Sequence, residues 1–341
     1  MDIILATGGT GGHIFPALTL AKTLKAEGYK CILFTNKQIN EIESYVLPLC
    51  RPSGSKLKFL FSLLYSCMLA LYQMVKLRPR LVIGFGSYAS FPTLFAAKIL
   101  SIPIILHEQN IILGEVNRFF FKSALLVATS FKNTKYAEGK KCIFTGNFIE
   151  TSEIHNYPSA KNNLNILIIA GSQGADFFDD VVSNIICDLP EEIKKKIIVT
   201  QQCKEKNISR VENLYKSYNI NYTLSPFFND LEKKLANSHV VISRAGATSI
   251  AEITLARRPA IYIPYPHAKD NHQFHNAMYI KNACAAEIIE QNSEAKKKLT
   301  ELLIDLLSDC KKLRIMANNT SKTKIKNGVT LLIKIIGYIL R

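Results

Sequence analysis

A glycine-rich loop near the amino terminus is the first segment of the chain that is suited to ligand binding or catalysis. Residues Thr7–His13 read T-G-G-T-G-G-H, directly after the apolar run Ile3–Ala6 and before a predicted helix over 15–27. Glycines let the backbone approach a ligand closely, and the first amides of the following helix attract phosphate. The loop therefore predicts a phosphate-binding turn. His13, at its end, could contact phosphate or transfer a proton.

A second glycine loop follows the same plan later in the chain. Residues Gly171–Ala175 come after the apolar run Ile166–Ile169 and before a predicted helix over 176–188. Strand, glycine turn and helix open a Rossmann-like unit, and two such loops facing each other across a cleft would hold a diphosphate. Simple NAD binding is disfavoured. It would require an acidic residue for the ribose about 20 residues after the first loop, and near that position the sequence offers only Glu27.

Short apolar runs alternate with helical segments through both halves, which is typical of buried parallel strands. We predict an α/β protein with two Rossmann-like domains, 1–157 and 158–325, and a terminal helix over 326–341 that could pack back on the first domain. The polar stretch 156–163 is the predicted linker. The predicted strands are Cys31–Phe34, Leu81–Ile83, Ile104–Leu106, Leu125–Ala128, Ile197–Thr200, Asn221–Leu224, Val240–Ser243 and Ala260–Ile263.

The composition limits the class of partner. The 341 residues carry a net charge of +16, which suits nucleic acid, an anionic membrane surface or a phosphorylated substrate. Zinc-finger spacing and aromatic RNP motifs are missing from the sequence, so nucleic acid is not an expected partner. The eight cysteines are scattered without a C-x-x-C pair, which favours free thiols in a reducing cytosol. No signal peptide is predicted.

The segment Phe59–Val75 is almost wholly apolar and is flanked by lysines and arginines. It is slightly short for a membrane span, and it lies between strands of one predicted sheet. Two interpretations stay open: a buried crossover helix, or an interfacial helix with one face on lipid. The apolar run Leu331–Leu340 either packs on the first domain or touches membrane. The flanking cations are Lys56, Lys58, Lys76, Arg78 and Arg80.

Six motifs together resemble one family. In order, they are T-G-G-T-G-G-H-I-F-P-A-L, G-F-G-S-Y-A-S-F-P, H-E-Q-N, G-S-Q-G-A, R-A-G-A-T-S-I-A-E and D-N-H-Q-F-H-N-A. This series resembles the MurG family of peptidoglycan synthesis. The resemblance implies the GT-B arrangement of two Rossmann-like domains. It also implies transfer of N-acetylglucosamine from UDP-N-acetylglucosamine to the lipid-linked muramyl-pentapeptide, lipid I, giving lipid II. The expected location is peripheral, at the cytoplasmic face of the cell inner membrane.

The resemblance implies roles for residues of the first domain. Thr10, Gly11, Gly12 and His13 would lie near the donor sugar and diphosphate, and Asn110 of H-E-Q-N would contact the transferred sugar. His107 and Glu108 precede Asn110 at the carboxyl end of a predicted strand, where sites of α/β proteins form. Structural hydrogen bonding in that loop is the alternative for both.

In the second domain the resemblance implies the binding site for the UDP-sugar. Ser172 would bind the diphosphate, and the backbone at Phe228 would hold the uracil. Ala247, Thr248 and Ser249 would present amides to phosphate, Glu252 would bind the ribose, and Gln273 would contact sugar hydroxyls. His267, Asp270 and His272 belong to the same loop as Gln273.

Three positions depart from the family pattern. Glu150 stands where an arginine is usual after the G-N pair, and a carboxylate cannot supply a cationic contact to phosphate. Ser87 replaces a usual glycine, and Phe91 stands where small residues are common. The last two changes would reshape the acceptor pocket.

The implied reaction is inverting sugar transfer, in which a base deprotonates the carbon-4 hydroxyl of the muramyl sugar and UDP leaves. The candidate bases are His13 and Glu108, and the sequence does not choose between them. No cofactor or metal is expected, because the acids of 176–180 suit a helix surface. Three alternative functions stay open: a lipid glycosyltransferase, a UDP-sugar epimerase and an inactive nucleotide-sugar binding protein. The H-E-Q-N motif argues against the epimerase.

Overall fold

The computed structural model describes residues 1–51, 55–150, 156–159, 163–171 and 176–341. The chain divides into two compact units. Unit 1 comprises Met1–Glu150 together with Lys326–Arg341, and unit 2 comprises Thr151–Ile325. Each unit is built on its own parallel β-sheet, so both belong to the α/β class predicted from the alternating apolar runs.

Unit 1 contains a seven-stranded parallel sheet in the order β3-β2-β1-β4-β5-β6-β7. Its inner strands are buried throughout because helices cover both faces, which explains their continuous apolar sequences. The strand order reverses between β1 and β4, and ligands of open α/β sheets bind at such a point. The strands are β1 Ile3–Ala6, β2 Cys31–Thr35, β3 Ser44–Val46, β4 Leu81–Gly84, β5 Ile104–Glu108, β6 Leu126–Thr129 and β7 Cys142–Phe144.

The first glycine loop leads into α1 earlier than predicted, at Gly11. The terminal helix of the chain packs in the core of unit 1, where Leu332 and Ile336 are fully buried beside residues of α1 such as Leu24. The helices of unit 1 are α1 Gly11–Ala26, α2 Lys56–Leu77, α3 Phe91–Ile99, α4 Glu115–Phe120 and, from the end of the chain, α13 Val329–Ile339.

Unit 2 contains a six-stranded parallel sheet in the order β10-β9-β8-β11-β12-β13, so its order reverses between β8 and β11. The helix predicted over 176–188 includes a π-helical stretch at Phe178–Val182. The strands are β8 Leu164–Ile169, β9 Ile197–Gln202, β10 Asn221–Ser225, β11 Val240–Ser243, β12 Ala260–Tyr262 and β13 Ala286–Ile288. The helices are α5 Ser183–Cys187, α6 Glu191–Lys194, α7 Ile208–Ser217, α8 Leu231–Ala236, α9 Ala247–Leu255, α10 His272–Lys281, α11 Ala295–Ser308 and α12 Cys310–Asn319.

Helix α2 connects β3 to β4 and covers the sheet with only a narrow stripe. Its buried residues are Ser66, Ala70 and Met74, spaced four apart. Large apolar side chains such as Phe61 and Met68 are 69% and 62% exposed. The interpretation of this segment as a buried crossover helix is therefore wrong. Among the described residues, α2 is the one helix long and apolar enough to cross a membrane, judged by length and composition only.

Two backbone segments cross closely in unit 1 where the chain returns from unit 2. The amide of Asn147 donates to the Lys326 carbonyl at 3.1 Å, and the amide of Gly328 donates to the Asn147 carbonyl at 2.8 Å. Gly146 has a φ of +100°, and a Cβ there would collide with the carbonyl oxygen of Lys326. The attachment of α13 therefore requires glycine at position 146.

We expect Gly146→Ala to lower the free energy of unfolding by at least about 2 kcal/mol more than Gly139→Ala, because only Gly146 adds a backbone collision to its left-handed φ. Gly139 is the matched control, since its φ is +113° and a Cβ at that position would meet no atom within 4 Å. Urea denaturation of both variants measures the difference. Equal losses would show that the crossing is not a tight constraint.

Candidate active site

His13 lies in the first turn of α1 and is half-buried. Its Nδ1 is 2.8 Å from the carbonyl oxygen of Phe85, the residue that follows β4. A carbonyl oxygen only accepts hydrogen bonds, so Nδ1 must carry the hydrogen, and the neutral ring keeps its lone pair on Nε2. The imidazole is thus held in the tautomer that can accept a proton at Nε2.

The glycine loop before His13 is fastened to neighbouring loops by side chains. The hydroxyl of Thr7 donates to the carbonyl of His13 at 2.8 Å. The amide of Gly9 donates to Oδ1 of Asn36 at 3.1 Å, and Nδ2 of Asn36 donates to the hydroxyl of Tyr88 at 3.0 Å. These bonds fix the path of the loop at the carboxyl end of β1. Asn36 was not singled out from the sequence, because it belongs to none of the six motifs.

Thr10 is the N-cap residue of α1, with φ −106° and ψ 166°, and its side chain is exposed. Gly11 and Gly12 follow in the first turn, where backbone amides have no intrahelical acceptor. Their amides and the positive end of the helix dipole suit an anion such as phosphate. The structure therefore brings Thr10, Gly11, Gly12 and His13 together at one helix terminus.

Glu108 ends β5 and is 2% exposed. Its Oε1 accepts from the backbone N and from Nδ2 of Asn110, at 3.0 and 3.2 Å. Its Oε2 accepts from the amide of Gly114 at 2.8 Å and from Nδ2 of Asn117 at 2.9 Å. Four donors on two oxygens tie the loop after β5 to the start of α4, and they hold Asn110 in a defined orientation.

His107 is fully buried beside Glu108. Burial lowers the pKa of His107 to about 3, so the ring is neutral at physiological pH. It stacks on Phe148 with ring centroids 3.9 Å apart. The side chain of Gln109 contacts His107 Nδ1 at 3.1 Å. The H-E-Q-N motif therefore forms a buried hydrogen-bonded network, with only Asn110 partly exposed.

Ser87, which stands where the family usually has glycine, has φ 67° and ψ 151°. That region is strained for every residue except glycine, and such strain persists where surrounding structure enforces it. The Ser87 hydroxyl accepts from the amide of Ala89 at 3.4 Å, and a Cβ on Gly9 would lie 2.6 Å from it. The loop after β4 thus presses against the first glycine loop. Phe91, the other departure, packs against the rings of neighbouring phenylalanines such as Phe120.

Glu150, at the position of the usual arginine, pairs with Lys22 of α1, which also contacts Glu41 at 2.9 Å. Both carboxylates raise the pKa of Lys22, Glu150 by the larger amount. Glu150 is 60% exposed, so this is a surface ion pair and contributes little to stability.

In unit 2, α9 begins at Ala247 directly after the turn that follows β11, with Gly246 as its N-cap. Ala247, Thr248 and Ser249 therefore form a first turn whose amides point out of the helix end. The hydroxyl of Thr248 is buried and has no hydrogen-bond partner among the described residues. Glu252, five residues after Ala247, is half-buried.

Arg244 is a buried cation at the carboxyl end of β11 that sequence reasoning named only as part of a motif. Its Nη1 donates to the carbonyls of Ile263 and Pro264 at 2.9 and 3.1 Å, and its Nη2 donates to Gln291 Oε1 at 2.8 Å. Burial lowers the pKa of Arg244 to about 10, and the guanidinium stays charged. All three acceptors are neutral, so its charge is available to attract an anion.

The loop before α10 and the first turn of that helix hold four more candidates of unit 2. The amide of Tyr265 donates to Gln273 Oε1 at 2.9 Å, so the Gln273 NH2 group points away from that bond. His272 Nδ1 donates to the Lys269 carbonyl at 2.8 Å. His267 and Asp270 are exposed.

Two further candidates were predicted in unit 2. Phe228 is buried, whereas the neighbouring Phe227 is 56% exposed. Ser172 lies outside the described residues.

Acidic side chains at the start of the 176–188 segment are paired with cations. Asp176 accepts from Lys204 Nζ at 2.8 Å, and Asp180 pairs with Arg210. Across the described ranges there is no group of three or more His, Cys, Asp or Glu side chains that could hold a metal ion. The eight cysteines, all within the described ranges, are free thiols.

We expect Glu108→Gln to lower the free energy of unfolding by about 2 kcal/mol or more, because the amide nitrogen would face donors that now meet a carboxylate oxygen. Glu150→Gln is the control and should stay within about 0.5 kcal/mol of wild type. Thermal denaturation measures both. A Glu108→Gln protein of unchanged stability that has lost turnover would instead point to proton transfer by Glu108.

Comparison with known proteins places the chain in one family. The profiles of the glycosyltransferase family 28 N-terminal and C-terminal domains match residues 3–129 and 165–332. A protein of Wolbachia pipientis subsp. Culex pipiens (strain wPip) is 70% identical over 98% of each chain. A protein of Anaplasma marginale (strain St. Maries) is 38% identical over 94% of each. Both are named UDP-N-acetylglucosamine–N-acetylmuramyl-(pentapeptide) pyrophosphoryl-undecaprenol N-acetylglucosamine transferase.

A solved structure agrees with these relatives. The crystal structure of Acinetobacter baumannii MurG is 27% identical, with a TM-score of 0.82, over 99% of this chain and 100% of that one. The fold class predicted from the sequence is confirmed by this likeness and by the two domain profiles. The chain therefore belongs to glycosyltransferase family 28 and, within it, to the MurG family.

Proposed function

We infer that this protein transfers N-acetylglucosamine from UDP-N-acetylglucosamine to the carbon-4 hydroxyl of the muramyl sugar of lipid I, giving lipid II in peptidoglycan synthesis. The observation that carries this function is 70% identity to a transferase of that name over 98% of both chains. Likeness over the full length favours this transferase above the lipid glycosyltransferase, the epimerase and the inactive binding protein.

Within that reaction we assign the general base to His13. The acceptor oxygen forms a bond to the anomeric carbon, its proton passes to His13 Nε2, and UDP leaves with the electron pair of the old glycosidic bond. The assignment is supported by the hydrogen on Nδ1, which leaves the lone pair on Nε2. Glu108 is assigned the orientation of Asn110, because four donors occupy its oxygens. A positioned base typically contributes about 10²–10⁴-fold.

We assign UDP-sugar binding in unit 2 to the residues that the family resemblance implies. Amides of Ala247, Thr248 and Ser249 bind phosphate, and Glu252 accepts from the ribose hydroxyls. Arg244 adds a buried positive charge beside that turn, so it stabilises the negative charge that develops on the leaving diphosphate. Ser172 would add a hydroxyl to the diphosphate. The backbone at Phe228 holds the uracil, and Gln273 contacts sugar hydroxyls through its NH2 group.

We predict that the wild-type protein transfers N-acetylglucosamine to a lipid I analogue and that His13→Ala lowers kcat by about 10²-fold or more, with the Kd of UDP changed by less than about threefold. Chromatographic product analysis gives kcat, and calorimetry gives the Kd. Intact UDP binding without any wild-type transfer would favour the inactive binding protein. Parallel losses of kcat and UDP affinity would reduce His13 to a donor ligand.

We also propose that α2 attaches the protein to the cytoplasmic face of the inner membrane as a peripheral protein. Its exposed apolar residues recur every three or four positions and so form one stripe: Leu57, Leu60, Phe61, Leu64, Tyr65, Met68, Tyr72 and Val75. Lysines at both ends of the helix, Lys56, Lys58 and Lys76, suit anionic headgroups. Arg80 is less suited to this role, because its guanidinium donates to the Leu340 carbonyl.

We expect the double substitution Phe61→Asp, Met68→Asp to abolish flotation with vesicles that contain anionic lipid, because it places two charges in the apolar stripe. Lys56→Glu with Lys76→Glu should weaken binding and remove its salt dependence. Ile315→Asp is the control, since Ile315 is 59% exposed on α12 and should leave flotation unchanged. Flotation of both double variants at the wild-type level would count against α2 as the membrane contact.

A further inference from the structure

The carbonyl oxygen of Phe85 accepts two side-chain hydrogen bonds. His13 Nδ1 donates to it at 2.8 Å, and Gln109 Nε2 donates at 3.2 Å. The three residues come from three places in the sequence: the start of α1, the end of β4 and the end of β5. The orientation of this one carbonyl group therefore links the side chain of Gln109 to the ring of His13.

The amide of Gln109 has only one workable orientation. Its Nε2 lies 3.1 Å from His107 Nδ1 as well as 3.2 Å from the Phe85 carbonyl oxygen. A flipped amide would set Oε1 against that carbonyl oxygen, which is repulsive because neither atom has a hydrogen. Nε2 therefore donates to both, and His107 keeps its hydrogen on Nε2, which faces the Gly146 carbonyl at 3.4 Å and Ser130 Oγ at 3.3 Å.

This arrangement is rigid and carries an energetic cost. Gln109 is 1% exposed, His107 is fully buried, and His107 stacks on Phe148. Oε1 of Gln109 is buried with no hydrogen-bond partner among the described residues. An unpaired buried carbonyl oxygen costs free energy, and an apolar side chain of similar size would avoid that cost. Packing alone therefore does not explain a glutamine here, whereas its donation to the Phe85 carbonyl and to His107 Nδ1 does.

We propose that Gln109 is a positioning residue for sugar transfer. By donating to the Phe85 carbonyl, it holds that oxygen where His13 Nδ1 must donate to it, and this keeps the lone pair of His13 on Nε2. The inference rests on the proposed role of His13 as the base. Gln109 itself touches neither substrate; it acts through the backbone of Phe85 on the tautomer and ring orientation of His13.

Gln109→Met tests the proposal, because methionine keeps the volume and removes the donor. Gln109→Glu is a second variant, since an ionised carboxylate cannot donate to the Phe85 carbonyl either. We expect both to lower kcat about tenfold, part of what a general base contributes, with the Kd of UDP changed by less than twofold. In ¹⁵N NMR spectra of the free protein, the share of His13 carrying its hydrogen on Nδ1 should fall. His13→Gln assigns the His13 signals.

Gln201→Met is the matched control. Gln201 is also fully buried, and it donates to the Phe178 carbonyl and bonds Ser183 and Tyr215 in unit 2. We expect Gln201→Met to lower the free energy of unfolding about as much as Gln109→Met does. It should leave the His13 tautomer unchanged and should change kcat by no more than about twofold.

An unchanged His13 tautomer in both Gln109 variants would overturn the proposal, as would equal losses of kcat in Gln109→Met and Gln201→Met. Because the NMR measurement needs no substrate, it is independent of the proposed function. Failure of the wild-type protein to transfer sugar would overturn the function, whereas the tautomer of His13 would still report on Gln109.

Discussion

The pairing of β1 with β4 is the contact on which the candidate site of unit 1 depends. β2 occupies the other side of β1, so the chain must cross over the sheet before it adds β4, and Ala6 then lies beside Gly84. Both strands end at the same edge because they are parallel. That edge brings His13 within hydrogen-bonding distance of Phe85, which is 72 residues away in the chain. Without this crossover the imidazole would have no fixed tautomer.

Many buried polar groups of this protein lie where parallel strands end. In unit 1 they include His107, Glu108 and Gln109, and in unit 2 they include Arg244. Burial of such groups is unfavourable unless hydrogen bonds compensate. The carboxyl ends of strands supply those bonds, because loop carbonyls and helix amides there are not used by the sheet. The same free backbone groups are those that bind a diphosphate.

Arg258 and Arg244 of unit 2 are both buried, but their surroundings suit different roles. Arg258 donates to the carbonyls of Leu235 and Ala236 at the carboxyl end of α8, and to the carbonyl of Asn156. It therefore covers the negative end of a helix and fastens the segment that enters unit 2. Arg244 also donates only to neutral acceptors, but it lies beside the start of α9, which is the positive end of a helix. Its surroundings therefore suit the proposed role of binding an anion, whereas those of Arg258 do not.

Elements with strong local patterns could be predicted from the amino-acid sequence. The continuous apolar runs predicted the inner strands to within a few residues, since parallel strands buried on both faces need apolar side chains at every position. The glycine loops marked both strand-to-helix turns, and six ordered motifs identified the family. The short strands β3, β7 and β13 were missed, because each has only three residues and lies at or near a sheet edge.

Tertiary structure alone decided which side chains act together. α2 has an apolar sequence that suits both a buried and an exposed helix, and only its packing through Ser66, Ala70 and Met74 shows that the larger residues face outward. In the sequence Glu108 and His13 are equal candidates for the base, and the four donors on Glu108 support the proposed assignment to His13. Gln109 belongs to the H-E-Q-N motif, but nothing in that stretch of sequence assigns it a role. Its partners, Phe85 and His107, are brought to it by the order of the strands, and strand order arises from contacts that no short stretch of sequence encodes.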